Sequence, residues 1–436
     1  MPLTQRIIRI PYGRRSLEIE MSPIARRAFE EVHPRLVSRT AHRTEFLDRC
    51  LTEPIGSPPL QDLLARSRRV LLVTSDATRL VAYHSWLPHL VSTVRKHLPE
   101  GGELKVIVGG GTHAPMSAEA ARDYLGLDEE PLCHDSRDES QLVQVGSTSR
   151  GTQVTVNREA MDADLIIATG AVTYHYFAGF TGGPKAVFPG LGGFESIVAN
   201  HSLSVDASTG ELNPAASVGR LEGNPIYEDC LEAAAMLPTM LLVNVVLGTD
   251  GRVAAFFCGE LSAAHAEAAR FVSSHFVREL TEPADVLLLS CGGYPRDISL
   301  YQAHKALKLA EGGVAPEGTI YFIARCEEGM GHPGFDYWRK LDLDATKAEL
   351  RKGYRAIGHL ALSLRQLTSK FRIKVYSKLS WQELREWNME PIRKDQLVKV
   401  LRGMPVIAQH PVFDPHGSIL LLRVATHANT IPGGAA

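Results

Sequence analysis

Short apolar runs, each suited to a buried strand, recur along this 436-residue chain. Val70 to Thr74 is the first, Leu104 to Val108 the second and Ala163 to Thr169 the third. Amphipathic helical patterns follow the first two runs, from Leu80 to Lys96 and from about Ser117. Strands and helices that alternate at this spacing are typical of parallel strands joined by right-handed crossovers. The pattern therefore predicts an α/β fold with mainly parallel sheets.

Two pairs of alternating segments indicate β-hairpins. Residues 5–10 and 15–20 alternate apolar and polar positions on either side of Pro11-Tyr12-Gly13, which has the composition of a turn. Residues 240–258 contain two apolar runs joined around Thr249-Asp250-Gly251, again a turn sequence. The sequence predicts one hairpin at the start of the chain and another after the third parallel strand.

A second set of strands begins after Thr281-Glu282-Pro283, which we interpret as a linker. Asp285 to Ser290 and Thr319 to Ala324 are apolar runs with a helical pattern, Ser299 to Glu311, between them. Arg372 to Tyr376 predicts a third strand of this set. The repetition predicts a second, smaller α/β domain over residues 281–408.

The last segment of the chain resumes an extended pattern. Ser418 to Val424 predicts a final strand, and the ending IPGGAA predicts a short flexible tail. We expect this segment to return to the first domain, which would then comprise residues 1–280 and 409–436.

Composition and charge narrow the class of protein. The net charge of −2 gives no indication of a nucleic-acid partner. The six cysteines include no CxxC pair, which argues against a disulfide framework and against a thiolate zinc site. The N-terminus has no long apolar core, and no run of 18 apolar residues occurs. We therefore expect a cytoplasmic protein with no secretory signal and no membrane partner.

The segment from Gly170 to His201 concentrates groups that can do chemistry. It reads GAVTYHYFAGFTGGPKAVFPGLGGFESIVANH and contains His175, Lys185 and His201 between many glycines. Because glycine destabilises helices and proline interrupts hydrogen-bonded runs, we expect a loop rather than one helix or strand. The segment follows the third apolar run, and open α/β sheets bind ligands just beyond the carboxyl ends of their strands. The sequence therefore predicts a binding site here.

The pattern YHYFAGFTGGPKAVFPG…NH in this segment resembles the signature of the nickel-pincer lactate racemase family. Taken singly, His175 or His201 could be a core histidine and Lys185 a surface lysine, but the set occurs at the family's spacing. The resemblance implies that Lys185 carries a covalent nickel-pincer nucleotide, a pyridinium-3-thioamide-5-thiocarboxylic acid mononucleotide. It also implies that His201 is the nickel ligand and that His175 is one of two acid/base histidines.

Asp76, Thr78 and Arg79 come directly after the first predicted strand. We expect Thr78 and Arg79 to open a helix, whose N-terminus favours an anion. From the residues alone, Asp76 could equally be a helix cap and Arg79 a solvated surface residue. The resemblance favours a functional interpretation, in which Asp76 and Thr78 bind the cofactor and Arg79 binds the substrate carboxylate.

The second strand is followed by a run of three glycines, then Thr112 and His113. Such glycines let the backbone approach a phosphate or a ring closely, although the run is neither a GxGxxG fingerprint nor a P-loop. Alone, it could equally be a tight turn with an exposed histidine. His113, His175 and Arg79 fall at one edge of the predicted sheet, which argues against a plain turn. The resemblance implies two acid/base histidines, and we predict His113 as the second. Cofactor contacts are predicted for Gly110, Gly111, Gly182 and Gly183.

The helix predicted over residues 299–311 contains Tyr301, Gln302 and Lys305 near its start. Residues three and four apart lie on neighbouring faces of a helix, and alone this is an ordinary amphipathic first turn. It also resembles the family's YQxxK motif, which implies that all three side chains bind the substrate and that Gln302 and Lys305 reach toward its carboxylate. The resemblance spans most of residues 70–330 and implies an active site in the cleft between two domains.

The resemblance implies a nickel-dependent racemase or epimerase of a 2-hydroxy acid, lactate-like or larger, that works by reversible hydride transfer. It also implies cofactor-maturation proteins as partners. Two alternatives remain open from the residues themselves. His113, His175 and His201 could hold zinc in a three-histidine hydrolase, although Lys185 would then have no role. The glycine loops alone would suffice for a nucleotide-binding protein without catalysis.

Overall fold

The structure, a computed structural model, describes residues 7–21, 23–35, 43–407, 411–414 and 421–424. The strands among them are, in chain order, β1 Ile7–Tyr12, β2 Arg15–Glu20, β3 Glu30–Glu31, β4 Arg69–Ser75, β5 Glu103–Gly109, β6 Leu132–Cys133, β7 Leu142–Ser147, β8 Gln153–Asn157, β9 Leu165–Ala171, β10 Tyr174–His175, β11 Gly179–Phe180, β12 Met240–Leu247, β13 Val253–Gly259, β14 Val277–Leu280, β15 Ala284–Ser290, β16 Val314–Ile323, β17 Arg372–Tyr376, β18 Glu390–Pro391, β19 Pro411–Asp414 and β20 Leu421–Val424.

Helices alternate with these strands over much of the chain. They are α1 Pro23–Ala28, α2 Arg43–Thr52, α3 Leu60–Leu64, α4 Leu87–His97, α5 Ala118–Leu125, α6 Arg158–Asp162, α7 Phe194–Ser202, α8 Pro225–Ala235, α9 Leu261–His275, α10 Leu300–Ala310, α11 Phe335–Trp338, α12 Leu343–Lys352, α13 Gly358–Lys370, α14 Trp381–Glu386 and α15 Lys394–Ile407. None of the described helices combines the length and apolar character needed to cross a membrane.

The chain divides into two compact units. The larger unit contains Arg35–His275 and Leu341–Leu362. The smaller unit contains Met1–Pro34, Phe276–Lys340 and Ser363–Ala436.

The larger unit is built on a six-stranded sheet with the strand order β13-β12-β9-β4-β5-β6. Neighbouring strands pair in parallel from β12 to β6, and β13 joins β12 as an antiparallel hairpin. Both the mainly parallel α/β fold and the hairpin within residues 240–258 that the sequence predicted are therefore confirmed.

Alternate residues of the central strands are buried on opposite faces of this sheet. On β4, Leu72 belongs to a cluster with Trp86 and Leu90, at the start of α4. Its neighbour Val73 belongs to a different cluster, which includes Leu261 of α9. Helical segments therefore cover both faces, as a buried parallel sheet requires.

The smaller unit contains a second six-stranded sheet, with the order β18-β17-β16-β15-β19-β3 and parallel pairing throughout. The opening hairpin predicted from the sequence is present as β1 and β2. Its buried residues, such as Ile10 and Ile19, cluster with Leu288 of β15 and Ile323 of β16. Apolar burial therefore holds the hairpin to this unit.

The grouping of the chain's two ends differs from the predicted domains, which were 1–280 with 409–436 and 281–408. Strand β19 pairs with β15, and β3 pairs with β19, so both ends of the chain contribute to the smaller unit. The physical reason is long-range strand pairing, which the pattern of a short isolated strand does not reveal. Residues 5–6 and 418–420 of predicted strands, and the IPGGAA tail, lie outside the described residues.

Candidate functional site

Three neighbouring strands of the larger unit bring the site residues predicted in this unit to one edge of its sheet. Strand β4 lies between β5 and β9, and all three run in the same direction. The loops that follow them carry Asp76 to Arg79, Gly110 to His113, and Thr173 onward. The first glycine loop is tied to the long segment by a hydrogen bond of 3.0 Å from the Gly111 amide to the Gly190 carbonyl. The convergence predicted from the sequence is therefore present in the fold.

Asp76 and His113 form a close pair at this edge. The Oδ2 atom of Asp76 lies 2.5 Å from Nδ1 of His113, and its Oδ1 accepts hydrogen bonds from the Thr78 hydroxyl and amide. Burial disfavours the charged carboxylate, but its hydrogen bond to His113 and the nearby positive charges outweigh burial and lower the pKa of Asp76 to about 2. Because a carboxylate can only accept, the proton of His113 lies on Nδ1. The carboxylate thus fixes the tautomer and the orientation of the imidazole.

The expected helix start at Thr78 and Arg79 is wrong. These residues form a turn in which the Arg79 amide donates to the Asp76 carbonyl, and α4 begins only at Leu87. A left-handed residue, Ala82 with φ of 57°, and a short 3₁₀ turn separate the two. The helix N-terminus therefore offers no anion site at Arg79, whose own guanidinium is the charge available there.

His175 lies on a small two-stranded hairpin formed by β10 and β11. Its ring is buried and contacts the neighbouring rings of Tyr176 and Phe177, with centroids 5.1 Å and 4.6 Å away. The Ala178 amide donates a 3.2 Å hydrogen bond to Nδ1. Because Nδ1 accepts this bond, the proton of the neutral ring lies on Nε2. His175 and His113 therefore carry their protons on different ring nitrogens.

Lys185 belongs to a short 3₁₀ helix, Gly183–Ala186, that follows the hairpin. Its Nζ lies 5.5 Å from the centroid of the Phe177 ring. Burial disfavours the charged amine, and the positive charge of Arg79 adds to this effect, so that the pKa of Lys185 falls to about 7. A substantial fraction of this amine is consequently unprotonated and nucleophilic near neutral pH.

The two glycines before Lys185 have a structural reason to be glycine. Gly182 and Gly183 have φ values of 75° and 57°. A Cβ added to Gly182 would lie 2.6 Å from the Asn244 side chain, and one added to Gly183 would lie 2.5 Å from the His265 ring. Both residues are thus required by the turn that presents Lys185, and their contact with a cofactor stays a prediction.

His201 lies in the last turn of α7, so the final part of the segment predicted as a loop is helical. Its ring lies 5.2 Å from that of Phe177, centroid to centroid. Burial, with the nearby charge of Lys185, lowers the pKa of His201 to about 3. The imidazole is therefore neutral at physiological pH and able to act as a metal ligand.

The three predicted histidines do not gather around one point. Within the described part of the chain, no group of three or more histidine, cysteine, aspartate or glutamate side chains is placed to hold a metal ion. The arrangement that a three-histidine zinc hydrolase requires is thus not formed by His113, His175 and His201. All six cysteines are free thiols.

A fourth histidine, His359, joins the site from a part of the chain in which the sequence offered no motif. It belongs to the larger unit, with Nε2 lying 2.7 Å from the Tyr176 hydroxyl and Nδ1 lying 2.5 Å from the Tyr354 hydroxyl. Its ring lies 4.6 Å from that of Phe177 and 5.9 Å from that of His201. His359 therefore packs against the aromatic residues Tyr176 and Phe177, which lie between His175 and His201. Only contacts between distant parts of the chain bring it there.

The predicted YQxxK residues lie in the first turns of α10 in the smaller unit. Lys305 Nζ donates a 2.6 Å hydrogen bond to Gln302 Oε1 and lies 5.9 Å from the centroid of the Tyr301 ring. The Tyr301 ring stacks on His332, with centroids 5.8 Å apart. The motif thus forms a compact polar group on one helix, and its contact with substrate stays a prediction.

Comparison with known proteins adds independent information. Residues 12–212 match the family described as the lactate racemase N-terminal domain, and residues 280–380 match the lactate racemase C-terminal domain. The lactate racemase of Lactiplantibacillus plantarum is 33% identical over 356 residues, which cover 78% of this chain and 79% of the relative. The lactate racemase of Thermoanaerobacterium thermosaccharolyticum is 31% identical over 347 residues, 77% of this chain and 78% of the relative.

Solved structures agree with these sequence matches. The lactate racemase apoprotein from Thermoanaerobacterium thermosaccharolyticum superposes with a TM-score of 0.83 at 27% identity, covering 96% of this chain and 100% of that chain. A crystal structure of a protein from Thermotoga maritima superposes with a TM-score of 0.66 at 18% identity. It covers 86% of this chain and 100% of its own, and shares the fold alone.

Proposed function

We propose that this chain, which belongs to the lactate racemase family, inverts the carbinol carbon of a 2-hydroxy acid. The observation that carries this proposal is that a buried lysine and a buried imidazole lie beside the same ring: Lys185 Nζ is 5.5 Å and the His201 ring 5.2 Å from the centroid of Phe177. Burial lowers the pKa of both groups, to about 7 for Lys185 and about 3 for His201. A covalently attached, metal-bearing cofactor needs both groups. The family signature and the fold support the same conclusion.

The residues of the larger unit fit a nickel-pincer nucleotide. The unprotonated fraction of Lys185 can form a covalent bond, and neutral His201 can ligate nickel. Among the described residues, no cluster of three ionisable ligands completes a metal site around His201. A metal that takes its other ligands from an organic group suits such a site. The solved relative is itself an apoprotein, the form of a protein without its cofactor.

The cofactor would supply a hydride acceptor, which no side chain can be. The C–H bond of a 2-hydroxy acid is a very weak acid, so proton removal at carbon is an inefficient route to inversion. Departure of hydride instead leaves a flat 2-keto acid, to which hydride can return on either face. The remaining task of the protein is to hold the substrate and to move the hydroxyl proton.

His113 and His175 are suited to opposite halves of this proton transfer. Asp76 holds the His113 proton on Nδ1, so Nε2 can accept the hydroxyl proton of one enantiomer. The Ala178 amide holds the His175 ring through Nδ1, so Nε2 is the ring nitrogen left to exchange a proton with the substrate oxygen. We propose that these two rings serve opposite stereoisomers.

Arg79 is the group that we propose for the substrate carboxylate in the larger unit. Its charge acts on Asp76, Lys185 and His201, and its backbone carbonyl is fixed by a 2.8 Å hydrogen bond from the Tyr124 hydroxyl. A guanidinium can bind a carboxylate through two parallel hydrogen bonds. Tyr301, Gln302 and Lys305 are proposed to contribute from the smaller unit, as the resemblance implies.

The substrate class is tested by a screen of 2-hydroxy acids, read as loss of optical rotation. Lactate and larger 2-hydroxy acids would share the carboxylate-binding groups and differ only in the side-chain pocket. Protein should be purified from a host that makes the cofactor, since we propose that maturation proteins supply it. Nickel together with a visible chromophore is expected. Zinc without a chromophore would favour a hydrolase, and nucleotide without metal a binding protein.

The Lys185 amine is expected to titrate near neutrality in protein made without the cofactor. Its rate of reaction with acetic anhydride should rise with pH through a midpoint near 7, because burial and Arg79 disfavour the charged form. Pulse labelling followed by peptide mass spectrometry measures this rate. A lysine in a model peptide, with a pKa of about 10.4, serves as the reference in the same solution. A Lys185 midpoint at the reference value would mean that the amine is solvated and not poised for attachment.

A further inference from the structure

We infer that Asn200 and the buried carboxylate of Asp229 form an outer layer of the proposed metal site, fixing the His201 ring with Nε2 available for nickel. The metal in this inference rests on the proposed function. The hydrogen bonds that support the inference are observed independently of that function. Neither residue was singled out in the sequence as a site residue. All the groups concerned belong to the larger unit.

The orientation of the Asn200 side chain follows from its partners. Its amide nitrogen lies 2.9 Å from Asp229 Oδ2 and 3.3 Å from the Ile226 carbonyl, and both partners are acceptors. An amide nitrogen can only donate, so these two contacts fix which end of the amide is which. The Asn200 oxygen must then face His201, where it lies 3.2 Å from Nδ1.

This orientation determines the tautomer of His201. Because the Asn200 oxygen only accepts, His201 Nδ1 must carry the proton and Nε2 the lone pair. Histidines that bind metals through one nitrogen commonly donate from the other to a fixed acceptor, which sets the ring orientation and strengthens the ligand. Asn200 supplies that acceptor.

Asp229 holds the amide in place from behind. The residue is fully buried, as is Asn200. Its carboxylate accepts a 2.5 Å hydrogen bond from the Thr148 hydroxyl, a 2.9 Å bond from the Thr152 hydroxyl and the bond from Asn200. These three donors are uncharged, and no ion pair to Asp229 occurs among the residues that the structure describes. Burying a carboxylate without a cation is costly unless a positive charge is bound nearby.

A metal cation on His201 would be such a charge. Hydrogen bonds link Thr148 and Thr152 to Asp229, Asp229 to Asn200, and Asn200 to His201. Through them the Asp229 carboxylate orients the His201 ring. Its negative charge also lowers the electrostatic cost of placing a metal cation in this buried site. Asn200 and Asp229 are therefore positioning residues, since neither is inferred to touch substrate or cofactor.

The first test uses protein made without the cofactor and needs no metal. Nitrogen-15 NMR of histidine-labelled protein, with His201 assigned by comparison with His201→Gln, reports which ring nitrogen carries the proton. We expect the Nδ1–H tautomer at neutral pH. Finding the Nε2–H tautomer would overturn the inference, whatever the metal chemistry of the protein.

The second test measures nickel loss from the cofactor-loaded protein to an excess of chelator, followed by metal analysis and by the visible spectrum. Loss of an outer-layer partner typically weakens metal binding by about 10–100-fold, so Asn200→Leu should release nickel faster by about that factor. Asn213→Leu is the matched control: Asn213 lies in the same unit, and its side chain hydrogen-bonds the Leu203 carbonyl and the Ala215 amide, which are backbone groups and not the His201 ring. Release from Asn200→Leu at the control rate would overturn the inference.

Asp229→Asn and His201→Ala complete the experiment. Asp229→Asn keeps the size of the side chain and removes its charge, so it should fold and release nickel at a rate between the control and Asn200→Leu. A control rate in this variant would remove the carboxylate from the inference. Undiminished nickel in His201→Ala would contradict the proposed metal ligand, and the NMR result would still decide the tautomer independently.

Discussion

Lys185→Ala protein, made in a host that supplies the cofactor, is expected to lose both its nucleotide-sized mass increment and its racemase activity. The unmodified amine has a pKa near 7 and lies beside Phe177, and we propose it as the nucleophile for covalent attachment. Since no side chain can accept hydride, activity without the attached group should fall to the uncatalysed background. Intact-mass spectrometry and polarimetry on the same preparation measure the two losses together.

Lys352→Ala provides the matched control for this variant. Lys352 is an exposed lysine of the same unit, with 75% of its side chain accessible to solvent, and it should keep both the increment and the activity. Protein from a host without maturation enzymes should show neither. An increment that persists in Lys185→Ala would mean that the cofactor is attached elsewhere or is held without a covalent bond.

Replacing either His113 or His175 with alanine is expected to stop net racemisation. Each enantiomer must be both consumed and formed in one site, so losing the acid/base group on either side blocks the complete cycle. General acid/base groups typically contribute about 10²–10⁴-fold, and each variant should lose activity by about that factor in both directions. Polarimetry from each pure enantiomer measures this loss, and His97→Ala, an α4 histidine bonded to its own helix, serves as the control.

Single-turnover experiments distinguish the two histidines from each other. With one enantiomer at a time, the 2-keto acid formed per site reports which hydroxyl proton can still be accepted. His113→Ala and His175→Ala should retain opposite enantiomers as substrates for this first half of the reaction. Loss of the same enantiomer in both variants would mean that the rings do not flank the substrate, and the assigned roles would be wrong.

Local sequence patterns were sufficient to predict the edge of the sheet on which the site is built. The apolar runs before Asp76, before the three glycines and before Gly170 became β4, β5 and β9, which are neighbours in the sheet. Parallel strands separated by helices place their carboxyl ends together, so residues just beyond them converge. The positions of His113, His175 and Arg79 at one edge followed from that rule.

Other features depended on contacts between distant parts of the chain, which no local pattern contains. Asp229, on α8, accepts a hydrogen bond from the side chain of Asn200, which is 29 residues earlier in the chain and adjacent to His201. His359 reaches Tyr176 across 183 residues. The helix expected at Thr78 failed for a local reason, because the Asp76 side chain forms its own turn with the next residues and delays α4.

The sequence likewise did not allow us to predict which strands the short strands β19 and β3 pair with. Strand β19 has only four residues, and these residues do not by themselves specify that the strand pairs with β15. The same holds for β3, which pairs with β19. These pairings decide which unit the two ends of the chain join.

Hydride transfer at the carbinol carbon is the central claim, and the fate of the hydrogen on that carbon tests it most directly. The measurement uses the best substrate from the screen, deuterated at C2, turned over in ordinary water, with the product enantiomer analysed by NMR and mass spectrometry. In the proposed mechanism hydride would leave C2 and return to it without meeting solvent, so we predict that the inverted product keeps its deuterium. Replacement of the label by solvent hydrogen as fast as inversion occurs would show that a proton is removed at carbon, and would contradict the account.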